Sequence, residues 1–253
     1  QLFVNGRFVC RGVPPSPYYY KFYDTVEIGR HLAAGTENTI GVLVSGIGAS
    51  RMGLLAEVVD GEERTVLATD EAWRVTTRTG WAGELRRGPT NTLFQEVFDA
   101  RAHPDGWPDA GFDDGEWDAP SAYPDLGTRA CPWKRMVPRR IPFLAEREVL
   151  PEAVALVREG LDIWSRGDVD PLSAVLSAPG RSPSFARIDN ADALCAADGE
   201  TVLQCSTEHQ RDDAFDGIYA PSVVLDFGRV ITGYLTLEVE GASGARIEAG
   251  YAE

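Results

Sequence analysis

The sequence predicts an all-β protein, one antiparallel β-sandwich followed by part of a second, and three observations carry that prediction. Short runs of alternating apolar and polar residues recur from Gln1 to about Leu144. Asn-Gly, Asp-Gly and Pro-Pro pairs punctuate those runs where tight turns are needed, and the same alternation returns from about Ser184 to the end. A period of two places every second side chain on one face, the arrangement a half-buried sheet requires.

Taken in order, LFVNGRFV reads as a hairpin whose loop is Asn5-Gly6, because both central residues of a two-residue loop need positive φ. VEIGRHLAAGTENTIGV places a short connection before a buried strand within TIGVLVSGI. LLAEVVDGEERTVLAT reads as a second hairpin with Asp60-Gly61 in its two-residue loop, and EAWRVTTR as a further strand carrying Trp73 toward the core. The proline- and arginine-rich segment WKRMVPRRIPFLAEREVLPEAV reads as an extended connector. The expected boundary falls near Ala145, giving domains 1–145 and 146–253. Short helices are expected in the intervening segment, from PEAVALVREG and from DPLSAVLSA, the latter with Asp170 as N-cap and Pro171 at the first helical position. Strands then resume in FARI, ETVLQCS, SVVLDFG and LTLEV (235–239), with Gly241 to Gly244 turning the chain into RIEAGYAE.

Composition narrows the function. With 253 residues and 43% hydrophobic content the chain can bury sizeable cores, and no apolar run approaches the ~20 residues of a membrane span. A net charge of −15, with Lys21 and Lys134 the only lysines, opposes a surface that tracks nucleic-acid phosphates. Neither nucleic acid nor membrane is an expected partner. Cys10, Cys131, Cys195 and Cys205 show no metal spacing, and Cys195 with Cys205 is the one pair placed to bridge a hairpin, free thiols being the expected state. His31, His103 and His209 stand apart from one another and from any GxSxG, HExxH or P-loop motif. No cofactor is expected, calcium being the one ion the acidic loops leave open. The compartment is not readable from QLFVNGRF.

Several stretches carry a resemblance in their order and spacing. These are VNGRFV, YYYKFYDTVEIGRHLAAGTENTIGV, LATDEAWRV, EVFDARAHPDGWPDAGFDDGEWDAP and, after residue 219, LDFG with the closing YAE. Together they resemble the non-catalytic amino-terminal region of bacterial α-L-rhamnosidases of glycoside hydrolase family 78. The resemblance covers roughly residues 2–145 and 219–253 and leaves 150–215 unexplained. It implies a galactose-binding-like jelly roll followed by the start of a second sandwich. In those enzymes an (α/α)6 barrel hydrolyses terminal α-L-rhamnosides with inversion, using an acid and a base carboxylate. No segment here offers that barrel, so no catalytic residue is transferred, and the chain is expected to be an inactive fragment whose first strands and catalytic domain lie outside it.

Two roles follow for such a region, carbohydrate binding or packing against the family's catalytic domain and shaping its entrance. A third reading keeps the accessory role but gives the parent another sugar specificity. Rings stack on the apolar face of a pyranose while acids and guanidinium groups take its hydroxyls, which singles out Tyr18 and Tyr20 after the proline-rich loop, Trp107, and the neighbouring Arg101, Asp105 and Asp109. Asp99 and Arg101 would share one face of a strand, an arrangement suited to an ion pair or to a partner's hydroxyl. Asp113-Asp114 in GFDDGEW reads instead as a turn that sets Trp117 on the sandwich.

Overall fold

The computed structural model describes residues 1–250 except 15, 17–18, 46–52, 83–95, 124–127, 129–130, 132, 134, 162–181 and 207–218. Strands dominate, and the described helix is confined to two 3-10 turns, Gly29–His31 and Ala191–Cys195. The all-β class holds. Two compact units divide the chain, Gln1–Phe143 and Leu144–Glu253.

In the first unit, β1 (Leu2–Val4) and β2 (Arg7–Cys10) form the hairpin that the sequence predicts. Asn5 at φ 50° and Gly6 at φ 76° make the loop whose twist matches the flanking strands. Asn5 does more than turn the chain. Its side-chain amide donates to the His31 carbonyl and to Asn38 Oδ1, and its Oδ1 accepts from the Thr39 N–H, all within 2.9 Å. Those bonds hold the 31–39 loop so that β4 (Ile40–Val42) meets the free edge of β1 and buries Val4 completely.

β3 (Lys21–Tyr23) and β7 (Met136–Pro138) pair in parallel, so the segment read as a connector contributes a strand to this unit. The physical reason lies just past both strands. Arg139 Nε and Nη2 each donate to the Asp24 carboxylate at 2.6 Å, with both side chains over 90% buried. The guanidinium also reaches the Gly12 carbonyl at 3.2 Å and lies 4.3 Å over the Phe143 ring. Such a fork-to-fork clamp sets register as well as proximity.

β5 (Glu57–Val59) and β6 (Thr65–Ala68) form the second predicted hairpin, but not through a two-residue loop. The chain turns over Asp60 to Glu63, and Glu63 rather than Gly61 takes the positive φ, 60°. Asp60 Oδ1 accepts from the N–H groups of Glu62 and Arg64, and Oδ2 from Arg64 Nε, so the carboxylate shapes the loop. Trp73 is half-buried rather than core, its indole N–H donating to the Ala68 carbonyl at 3.0 Å.

In the second unit the expected helix over PEAVALVREG is instead a strand, β8 (Ala153–Leu161), antiparallel to β11 (Tyr219–Asp226). A β-bulge explains the misleading periodicity. Val224 faces Leu156 while Leu225 faces Val154, so Ala155 is an extra residue and the half-buried Val154 and Val157 stand three apart, the spacing of a helix face. DPLSAVLSA lies outside the described residues. β9 (Arg187–Asp189) pairs with β10 (Val202–Gln204).

Glu159 in β8 is 1% exposed and anchors the segment before β9. Its carboxylate accepts from the Phe185 and Ala186 N–H groups at 2.8 and 2.7 Å and from the Ser184 hydroxyl at 2.8 Å. Burial pushes this acid up, but those donors outweigh it and hold the pKa down, from an ordinary 4.5 to about 2. The expected turn after Gly241 forms, with Gly244 at φ 88° and the Ala245 N–H bonded to the Ala242 carbonyl. LTLEV, however, belongs to no ladder among the described residues, and Leu235, Leu237 and Val239 are exposed. Alternation prepares a strand, but only a partner edge makes one.

Candidate functional site

A cleft in the first unit hangs on the extended stretch 75–82. At one end Val75 and Asp118 exchange backbone hydrogen bonds at 2.9 Å, which sets Thr76 opposite Trp117. At the other end Trp81 bridges Phe98, with the Asp99 N–H bonded to the Gly80 carbonyl at 2.7 Å. Gly80 is required there, because a Cβ would stand 2.5 Å from the Asp99 carbonyl oxygen. The two walls, 99–104 and 115–118, are therefore both fixed by one stretch of backbone.

Between them lies an open cleft of about 310 Å³ whose lining includes Thr76, Arg78, Arg101, His103, Glu116 and Trp117. Each wall has a local cause. Asp113 Oδ1 accepts the Gly115 N–H and the Asp114 carbonyl accepts the Trp117 N–H, so GFDDGEW turns as its Asp and Gly residues predict. Phe112 packs against Trp117 at 5.5 Å. On the facing wall, His103 sits edge-on to Trp81 and Phe98 at 5.3 and 5.2 Å.

Charge in the cleft is organised by Asp99, which takes Arg101 Nε and Nη2 at 2.8 and 2.7 Å and the Arg101 backbone N–H at 3.1 Å. Hydrogen bonds from the Arg101 side chain and then its backbone bring the Asp99 pKa down to about 2. That pairing fixes Arg101 in the wall, and its Nη1 hydrogens have no acceptor among the described residues. The cleft thus offers guanidinium donors, a carboxylate and an indole ring side by side, the set that recognises hydroxylated rings.

Among solved structures, the chain is similar to the crystal structure of a GH78 family rhamnosidase of Bacillus sp. GL1, with a TM-score of 0.53. The match has 34% identical residues and covers 69% of this chain and 19% of that one. The fold is GH78-like. The chain thus spans about a fifth of the length of that rhamnosidase. No protein-family model matches it, and no curated protein does.

The six residues singled out from sequence do not gather at one place in this fold. Tyr18 lies outside the described residues. Tyr20 is half-buried against Phe22, with ring centroids 5.4 Å apart. Trp107 packs edge-on to Phe3 at 5.3 Å and covers Gly41, where a Cβ would meet its Cζ3 at 2.7 Å. Asp109 lies over Gly6 of the first hairpin, its N–H bonded to the Gly106 carbonyl. Asp105 is exposed. Arg101 alone of the six lines the cleft. Sequence reasoning missed Thr76, Arg78, His103, Glu116 and Trp117 because the bridges that bring the walls together, Val75 to Asp118 and Trp81 to Phe98, are pairings with no local signature. Among the described residues no cluster of His, Cys, Asp or Glu could hold a metal ion, and all four cysteines are free thiols.

Proposed function

We propose that this chain is an accessory, non-catalytic region of a glycoside hydrolase resembling an α-L-rhamnosidase, and that its first unit, read as a galactose-binding-like jelly roll, binds carbohydrate. The observation that supports the reading is the similarity to the rhamnosidase structure at 34% identity. A cleft in which donors, an acid and a ring converge adds to it. One ring and a few hydrogen bonds, set against ordering and desolvation, leave an affinity on the order of mM. The test has two parts. The purified chain is incubated with an aryl α-L-rhamnoside, where no turnover is expected, and is titrated with L-rhamnose and D-galactose, where a saturable change is expected. Turnover would overturn the non-catalytic assignment, and two flat titrations would overturn sugar binding.

A second reading, docking against a helical catalytic domain, has an observation of its own. Val230, Tyr234, Leu235, Leu237, Val239 and Ile247 are all exposed within residues 229–250. A contiguous apolar patch marks a surface that other protein covers, and these six apolar side chains fall within one stretch of the chain. Hydrogen exchange of residues 229–250 measured in the chain alone and in the intact enzyme tests this, slower exchange in the latter being the expected result.

A further inference from the structure

We infer that the cleft between 76–78, 101–104 and 115–117 is the sugar site, and that it takes a single neutral pyranose through its vicinal hydroxyls; this rests on the carbohydrate-binding reading above and gives it a location. Size comes first. About 310 Å³ lies at the small end of ligand pockets and suits one ring rather than a chain of them. Chemistry comes second. Glu116 supplies the acceptor for hydroxyl protons, and Arg78 supplies donors for hydroxyl oxygens, with no ion-pair partner of its own among the described residues. Trp117, in the same lining, supplies an indole ring for the apolar C–H face.

His103 adds a third polar side chain. Its Nδ1 is sealed and has no hydrogen-bond partner among the described residues. Buried acceptors tolerate that state better than buried N–H groups do. A neutral imidazole with its proton on Nε2 would leave Nδ1 as the sealed acceptor and could donate that N–H to a hydroxyl oxygen. Charge decides against an anionic sugar. Arg101 is paired with Asp99, and the lining's remaining charges, Arg78 and Glu116, are opposite and sum to zero, so there is no surplus positive charge to attract a carboxylate. Arg101 acts as a positioning residue, its pairing with Asp99 two residues earlier ordering the start of the 99–104 wall.

The experiment follows the indole N–H resonances of the intact chain during titration with L-rhamnose, D-galactose and D-galacturonate. A Trp117→Phe variant identifies the Trp117 signal. The expected result is a saturable shift at Trp117 with a neutral sugar on the order of mM. Arg78→Ala and Glu116→Gln, both exposed and so compatible with folding, should each weaken it about tenfold or more, the effect of losing one good polar contact. A saturable response elsewhere in the spectrum with Trp117 silent would overturn this site while leaving carbohydrate binding standing. Galacturonate binding in place of the neutral sugars would overturn the neutral-pyranose assignment. No response to any sugar would overturn both the site and the reading beneath it.

Discussion

Single side chains set the geometry in both units, and the Asp24–Arg139 pair shows how much one contact can carry. It is nearly buried, so removing either partner strands a charge that water no longer solvates. Asp24→Ala or Arg139→Ala should each destabilise the first unit by about 3 kcal/mol in urea unfolding. Replacing both partners with apolar residues of similar volume should recover much of that loss, because the stranded charge is gone. The Asp99–Arg101 pair is the exposed counterpart, with side chains 46% and 64% accessible, and it orders a wall rather than stabilising a unit. Carboxyl resonances followed through an acid titration should show Asp99 with a midpoint at about 2, returning toward 3.8 in Arg101→Ala. A midpoint unchanged by that substitution would mean that Arg101 does not hold the acid.

At the scale of elements, β8 shows what the sequence conceals. Val154 and Val157 look like one face of a helix because the reader does not know that Ala155 bulges out of a ladder with β11. The first hairpin was legible, since Asn5-Gly6 encodes its own loop. The second was legible only in outline, because Asp60 uses its side chain to build a longer loop than the Asp-Gly pair implies. β7 could not be read at all as a strand of the first unit, because its partner lies more than a hundred residues earlier and the proline beside it signals a connector. Most of the cleft was illegible for the same reason, its lining being assembled by the long-range bridges at Val75 and Trp81. Glu159, which ties β8 to the 184–186 segment, sets a testable acid limb. Its folded pKa lies below the unfolded value, so its contribution is complete above about pH 4.5 and is lost as pH falls toward about 2. The difference amounts to about 3 kcal/mol. Urea unfolding of the second unit across that range should show the decline. Glu159→Gln should flatten it and lower stability at neutral pH, since an amide cannot accept all three hydrogen bonds.

The whole molecule is acidic and carries many apolar side chains on its surface, a combination whose behaviour depends on pH. At neutral pH a net charge of −15 keeps copies apart. Near the pI of about 4.6 that repulsion vanishes while Val230, Leu237, Val239 and Ile247 stay exposed. Light scattering should therefore rise to a maximum near that pH and fall again on either side, and a chain that stays monodisperse throughout would show that those side chains are covered. The parallel pairing of β3 with β7 bears on how the molecule is made. On a ribosome the amino-terminal hairpin and β4 emerge early, yet Asp24 must wait for Arg139, 115 residues downstream. At translation rates of 5–20 residues per second that interval lasts on the order of 10 s, during which β3 is without its partner strand and one carboxylate without its guanidinium. The nascent first unit therefore completes its fold late in its own synthesis, and its exposure to chaperones and proteases is set by elongation speed rather than by the stability it finally reaches.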